Sequence, residues 1–488
     1  METMDQSHNT SQGKQWAWVG WVLFGVALIV TFGLGLLASS ILTRRREALP
    51  PQPVHPIARW ESDSSKWAAN FPREYDRYRR MMDDTTRTKY GGAFPRDYLE
   101  ETPANVILFA GYAFAKDYRQ ARGHVYAVED VTHTKRVNEK TPATCWTCKS
   151  TDVPRLLAQM SPADFYKQPF AAFKSEITHP IGCLDCHDPT DMRLVITRPA
   201  LREALQRQGR DPDKLSHQEM RTMVCAQCHV EYYFKGDGKY LTFPWDKGTS
   251  IEQIESYYEE ADFSDWTHAV SHAPMVKMQH PDFEIYSTGI HAYRNVSCAD
   301  CHMPYMSEGG VKFTDHHVQS PLLNIANSCA VCHRWSEEEI RNRVESIQDK
   351  IHEVRGRVEQ ALVAAHFDVA AAMQAEATDE ELQTPRQLIR RAQLRWDFVA
   401  ANNGMGFHSP AECLRILAAA LDLAGQARSE ASRILAKHGI TDPIIYPDVS
   451  TKEKAQAVEQ LFVKGTPPNL LPNKVGGDRA SAALTAGP

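Results

Sequence analysis

The sequence predicts a mainly α-helical fold of an uneven kind, with long helices towards the C-terminus and an irregular region before them. Three observations carry this. Ten of the eleven cysteines fall in five pairs of the same C-x-x-C spacing. Over residues 57–335, which hold all five pairs, periodicity is weak and turn residues are frequent. After residue 335, apolar residues recur at helical spacing. The 488 residues leave room for several domains or one large one. Hydrophobic residues make up 42%, and the net charge is -6 with no dominant basic patch, so nucleic acid is excluded as a partner.

A short segment, residues 1–15, precedes an uncharged apolar run at 16–42. The run exceeds the roughly 20 residues that span a bilayer. Trp16, Trp18 and Trp21 cluster at one end, as aromatic residues do at a membrane interface. The reading is a retained anchor. A cleaved signal sequence competes with it, because Ala38-Ser39-Ser40 offers small residues, although the n-region carries only Lys14. Arg44, Arg45 and Arg46 follow the run and by the positive-inside rule would face the cytoplasm. Residues 43–59 read as a linker, Pro-rich over 47–56.

Residues 60–335 carry the motifs. Four read C-x-x-C-H: Cys183/Cys186/His187, Cys225/Cys228/His229, Cys298/Cys301/His302 and Cys329/Cys332/His333. This is the attachment signature of c-type haem. Two thiols three residues apart reach the two vinyl groups of one porphyrin, and the next residue points under the iron. One such motif would suit a zinc half-site, but four do not. A disulfide framework does not explain the histidine after every pair. The predicted fold is therefore a multihaem cytochrome c fold with a haem-packed core. Haem attachment of this kind occurs outside the cytoplasm in bacteria, which overrides the arginine signal and places the chain on the periplasmic side.

The fifth pair, Cys145-Trp146-Thr147-Cys148, is followed by Lys149 where histidine is expected. An amine ligates iron only when neutral, so ligation must displace a proton from a group whose free pKa is about 10.4. A site so changed from its siblings is the candidate for chemistry. A haem with two protein ligands only passes electrons, whereas one with a single ligand can bind substrate.

Residues 336–465 read as a long-helix region. Ile340, Val344, Ile347, Ile351, Val354 and Val358 form an apolar seam, to be buried within the chain or against a second subunit. Ser336 and Glu339 form a capping box, with Trp335 and Ile340 placed as a hydrophobic staple. A second helix starts at Ser409-Pro410 with Glu412 and ends near Gly439. Cys413 reads as a buried thiol. Residues 466–488 read as a loose tail.

A C-x-x-C-K motif ahead of four C-x-x-C-H motifs resembles the ammonia-forming cytochrome c nitrite reductases. Arg122-Gly123-His124, Val230-Glu231-Tyr232, Lys277-Met278-Gln279-His280-Pro281, Thr314-Asp315-His316 and Gly406-Phe407-His408-Ser409-Pro410 are similar to that family's segments. The resemblance implies six-electron reduction of nitrite to ammonium and five covalent haem c groups. Lys149 would be the proximal ligand of the active haem, and His124, His291, His316 and His408 the distal ligands of the others. Spacing alone leaves His317 open beside His316. Arg136, Tyr232 and His280 would surround the open face, with Arg122 as the fallback for Arg136. His280, with an ordinary pKa of about 6.5, would donate protons near neutral pH. Glu231, Tyr232, Lys277 and Gln279 would hold one calcium ion, Tyr232 and Lys277 through backbone carbonyls. The resemblance also implies a homodimer, and as electron donor a quinol-oxidising membrane cytochrome or a soluble cytochrome c.

Three alternatives stand beside this reading. One is an electron-carrying pentahaem cytochrome without catalysis, which predicts two protein ligands at all five irons. Another is a reductase of hydroxylamine or sulfite. The third is a structural anchor subunit, for which the chain is long.

Overall fold

The computed structural model describes residues 12–47 and 52–472, with side chains over 18–45 and 52–472. Residues 1–11, part of the linker (48–51) and most of the expected tail (473–488) lie outside the described residues. Helix α1 (Gln12–Glu47) runs five residues beyond the expected boundary at 42, so the first part of the expected linker is helical. Its span Trp18–Arg45 has a mean hydropathy of 2.4 and buries none of its surface in the protein, so by length and composition it can cross a membrane.

Between residues 60 and 335 the chain forms short helices, tight turns and three two-stranded antiparallel hairpins. The helices used below are α2 (Pro199–Arg207), α3 (His217–Ala226), α4 (Ile251–Glu260) and α5 (Asp282–Ser287). The hairpins pair β1 (Tyr233–Lys235) with β2 (Tyr240–Thr242), β3 (Trp266–Thr267) with β4 (Pro274–Met275), and β5 (Tyr305–Glu308) with β6 (Val311–Thr314). Gly309 and Gly310 both have positive φ, as a two-residue hairpin turn requires. A hydrophobic core of this region gathers Trp146, Phe165, Phe170, Leu201 and Trp245 around the Lys149 motif.

The C-terminal region is a helical bundle of α6 (Glu337–Gln374), α7 (Asp379–Ala400) and α8 (Pro410–Lys437), with α9 (Lys452–Val463) packed beside it. The Ser336 hydroxyl accepts from Glu339 N–H (3.2 Å) and the Glu339 carboxylate accepts from Ser336 N–H (2.9 Å), which is the expected capping box. Ser409 caps α8 through its backbone carbonyl only, bonded by Cys413 N–H at 3.0 Å. Gly439 follows α8 with φ +79°, and Cys413 is fully buried.

Most of the apolar seam is buried within the chain, with Val354 partly buried and Ile347 half-exposed. Ile340 and Val344 pack on Leu322 and Ile325 beside the last haem motif, while Ile351 and Val358 enter the main core. Helix α7 has no counterpart in the sequence-based reading. Pro385 interrupts its pattern, yet Thr378 and Glu381 form the same type of capping box that marked α6.

Candidate functional site

The four C-x-x-C-H motifs close as turns of α-helix. The histidine N–H bonds the first cysteine's carbonyl at 3.0 Å for His187, 2.9 Å for His229 and 2.9 Å for His333. Cys298–His302 is itself a helical turn. This winding sets both thiols and the imidazole around one centre. No disulfide joins these cysteines among the described residues. Cysteines of different motifs are neighbours, Cys148 beside Cys228 and Cys225 beside Cys298.

Cys332 stands apart from the other attachment cysteines. It is exposed to solvent, while the other nine motif cysteines are half-buried. The reason lies in the last motif's position. Its Cys329–Val331 turn runs along the surface just before α6, where Val331 is 67% and Trp335 56% exposed. Only its other side is covered, by Leu322, Ile325, Ile340 and Val344 packing on Cys329 and Ala330. Cys329 and Cys332 would therefore hold a porphyrin at the protein's edge.

Each motif histidine faces one histidine from elsewhere. The ring centres are 6.4 Å apart for His229 and His124, 6.2 Å for His187 and His316, 6.3 Å for His302 and His408, and 6.4 Å for His333 and His291. Two imidazoles on opposite sides of one metal, with metal–nitrogen bonds of about 2 Å and each nitrogen about 1 Å from its ring centre, stand about 6 Å apart. The four pairs therefore fit iron bound between them.

Backbone and carboxylate partners orient several of these rings. His187 Nδ1 lies 2.9 Å from the Met192 carbonyl, His302 Nδ1 2.9 Å from that of Gln319, and His316 Nδ1 2.8 Å from that of Thr314. His229 Nδ1 lies 3.0 Å from Asp282. Such contacts turn Nε2 towards a metal. His317 is engaged differently, because its Nε2 lies 3.0 Å from the Asp84 carboxylate. Asp315, between Thr314 and His316, is held by Arg77 through both carboxylate oxygens (2.9 and 3.0 Å). Spacing could not separate His316 from His317; of the two, His316 faces a motif histidine and His317 is bound to Asp84.

The Lys149 motif is wound more tightly. Its N–H bonds the Trp146 carbonyl (2.9 Å), at a separation of three residues rather than four. The Lys149 charge acts on His280 and His124. Burial, then the Lys149 charge, push the His280 pKa down to about 3. The sequence suggested a histidine titrating near neutrality; its surroundings keep it neutral. Burial, with the thiols of Cys148 and Cys145 beside it, pushes Tyr232 well above its ordinary range, so its hydroxyl stays protonated.

Arg136 shares this place. Its charge acts on Tyr232 and Cys145, its guanidinium lies 4.4 Å over the Phe114 ring, and its Nε bonds Thr134 Oγ1 (3.2 Å). It has no ion pair among the described residues. Arg122, the fallback, is bound to Asp130 and Glu129 (both 2.8 Å) and stacks over Tyr126, so it serves structure.

The expected calcium residues converge. Glu231 is buried; one oxygen accepts from Tyr258 on α4 (2.8 Å) and the other from Gln279 N–H (2.5 Å). The Gln279 side chain reaches the Lys277 carbonyl (3.2 Å). Burial pushes Glu231 well above its ordinary pKa, and Glu284 beside it up to about 8. One Glu284 oxygen is buried without a hydrogen-bond partner among the described residues. A buried pair of carboxylates with no ion pair among the described residues fits a cation.

Sequence reasoning missed what holds this segment in place. The Lys277 ammonium, 1% exposed, turns away from the site and pairs with Asp397 on α7 (2.9 Å), which also accepts from Met278 N–H (2.8 Å). At the other end Asp282 accepts from Asn402 (2.7 Å) and Asn403 (2.7 Å to N–H). Residues 277–282 are thus pinned at both ends by the C-terminal part of α7 and the loop after it.

Attachment turns, imidazole pairs at metal-spanning distance and a helical scaffold define a multihaem c-type cytochrome. The comparisons make the assignment narrower. The model of the cytochrome c552 family matches residues 63–468, and the chain belongs to that family. It is 53% identical over 449 residues to a cytochrome c-552 of Bacteroides fragilis, covering 90% of this chain and 91% of that one. A cytochrome c-552 of Desulfotalea psychrophila is 42% identical over 457 residues (90% and 88%). Among solved structures, the catalytic subunit of cytochrome c nitrite reductase from Desulfovibrio desulfuricans, described for its two calcium sites, superposes with a TM-score of 0.74. It shares 34% identity over 78% of this chain and 88% of that chain.

Proposed function

We propose that this chain reduces nitrite to ammonium at a haem attached through Cys145 and Cys148 and ligated by Lys149. One observation carries the reading. Four attachment motifs face a partner imidazole at metal-spanning distance, while the fifth ends in Lys149 among His280, Tyr232 and Arg136. The likeness to a nitrite reductase of the same family supports it. In this reading the chain holds five covalent haem c groups, and the four closed by His187/His316, His229/His124, His302/His408 and His333/His291 feed the fifth. Lys149 would be the one protein ligand of that haem, which when bound would supply the redox chemistry for reducing the anion.

The chain's own residues do the rest. Nitrite takes up six electrons and eight protons to become ammonium and two waters. Arg136 gives the site positive potential and hydrogen-bonds the anion's oxygens. Tyr232, held protonated, donates a hydrogen bond to bound nitrogen or oxygen. His280, neutral at rest, passes protons one at a time. Lys149 must give up its own proton to act as a ligand, and that removes part of the field that depresses His280.

Glu231, Gln279 and the carbonyls of Tyr232 and Lys277 hold one calcium ion, which fixes the Tyr232 and His280 segments and adds positive charge. The chain works on the extracytoplasmic side, with α1 as membrane anchor or signal sequence. Its donor is a quinol-oxidising membrane cytochrome or a soluble cytochrome c. Because most of the seam of α6 is buried within the chain, a homodimer pairs exposed faces of the C-terminal helices.

The test is nitrite consumption and ammonium release by the haem-loaded full chain with reduced viologen as donor. One ammonium per nitrite supports the reading. No turnover by protein with five haems confirmed by mass overturns it and leaves an electron carrier.

A further inference from the structure

The turn that carries Lys149 is held by a residue outside every haem motif. Arg198, at the start of α2, is 0% exposed. Its Nε donates to the Thr147 carbonyl (2.7 Å) and one terminal nitrogen donates to the Ser150 carbonyl (2.9 Å). These two carbonyls bracket Cys148 and Lys149. The same nitrogen meets Asp185 of the second motif at 2.5 Å, and the other donates to Thr197 Oγ1 (2.6 Å). Gln227 of the third motif completes the node. Its side-chain oxygen accepts from Thr197 N–H (3.0 Å) and Arg198 N–H (3.2 Å), and its nitrogen donates to the Asp185 carbonyl (2.9 Å).

The geometry gives this node a reason. In the histidine motifs, the bond from histidine N–H back to the first cysteine's carbonyl closes the helical turn. Lys149 bonds Trp146 instead, so its turn is tighter, and the carbonyls of Thr147 and Ser150 on either side of Cys148 and Lys149 both accept from Arg198. A buried guanidinium has five donors in a rigid planar fork and can satisfy several of them at once, which an ammonium cannot. Lysine is also long and flexible where histidine is short and rigid, so its amine needs a more firmly held backbone to meet one point.

We propose that Arg198 is a positioning residue for Lys149. It fixes the 147–150 turn so that the amine meets the metal, and through Asp185 and Gln227 it sets that turn against the second and third attachment motifs. The inference rests on the nitrite-reductase reading and assigns no catalytic contact to Arg198.

The test compares the haem-loaded parent with two variants. Arg198→Lys keeps the charge but loses the fork. Arg198→Gln with Asp185→Asn removes the buried ion pair whole and leaves no unpaired carboxylate. The readouts are haem count by mass, the high-spin absorption and midpoint potential of the open haem, and nitrite kinetics with reduced viologen. Both variants are expected to hold five haems and to leave the low-spin signals unchanged. The high-spin band and its potential move, and kcat falls about 10- to 100-fold with KM little changed. In a Lys149→His background, where the turn can close as in the other motifs, the same substitutions add little, so the effects couple. An unmoved band and potential, effects that add fully in the Lys149→His background, or loss of haem from all sites alike would each overturn the proposal. A parent that forms no ammonium sinks the nitrite reading itself. A parent that forms it, beside variants with an unmoved open-haem signal, sinks only the role of Arg198.

Discussion

The region before residue 335 and the bundle after it are held together in different ways. In the first, short turns are fixed by hydrogen bonds that buried carboxylates such as Asp152, Asp185, Asp282 and Asp315 accept. In the second, long helices bury apolar faces against one another, with Leu362, Ile389, Leu417 and Ala424 fully inside. The difference teaches where sensitivity lies. Substitutions in the first region should change chemistry more than stability, and those in the second should do the reverse.

The largest expected effect tests that division directly. His280→Gln should lower nitrite turnover by about 10²- to 10³-fold, the scale for losing one donor in a preorganised site. The thermal midpoint should barely move. A large fall in that midpoint with turnover preserved per folded molecule would erase the division.

The opposite case lies in α8. Leu417→Ala removes a fully buried side chain and should cost about 2–5 kcal/mol in denaturant unfolding, with kcat and KM of the folded protein unchanged. A drop in kcat at full haem content would show that the bundle tunes the site as well as supporting it.

A smaller effect separates two neighbours. His316→Ala should open a second iron and add high-spin absorption, while His317→Ala should leave the haem spectrum as it was, because His317 Nε2 is committed to Asp84. The reverse pattern would exchange their roles.

Where the bundle packs on the first region, a polar feature should respond to acid. His268 and His366 are both fully buried and stack with ring centres 3.7 Å apart. His366 is bonded to Ser271 and Gln393, both at 2.8 Å. Burial pushes the His366 pKa down from 6.5 to about 4. Above pH 6.5 neither folded nor unfolded chain binds a proton here, and the stack contributes in full. Between 6.5 and about 4 the unfolded chain takes up a proton that the folded one refuses. Stability should fall there by up to about 1.4 kcal/mol per pH unit from this group. Urea midpoints measured from about pH 7 down to about 4.5 would show it, and His366→Gln should flatten the slope. Smallest of all, Ser336→Ala should remove the α6 cap at a cost of about 1 kcal/mol.

Much of this was legible in the sequence, for reasons that differ by region. Covalent attachment leaves a mark in sequence, so the five motifs and the oddity of Lys149 could be read directly. How deep each motif lies leaves no such mark, which is why the exposure of Cys332 went unforeseen. Caps and periodicity marked α6 and α8. Helix α7 escaped because Pro385 breaks its pattern, although Thr378 and Glu381 carried the signal. The hairpins are too short to leave an alternation. Partners far apart along the chain leave no local mark at all. Arg198 on Thr147, Asp397 on Lys277 and Asp84 on His317 are separated by 51, 120 and 233 residues. The residues proposed as ligands could therefore be named from the sequence, while the residues that hold them in place could not.

The central claim is that one iron in this chain is open and the other four are closed. The most direct measurement is magnetic and optical spectroscopy of the oxidised, haem-loaded full chain, with and without nitrite, counting the irons that are high-spin and exchange their sixth ligand. The account predicts one in five, shifted by nitrite and altered by Lys149→His. Five low-spin irons that ignore nitrite would contradict it.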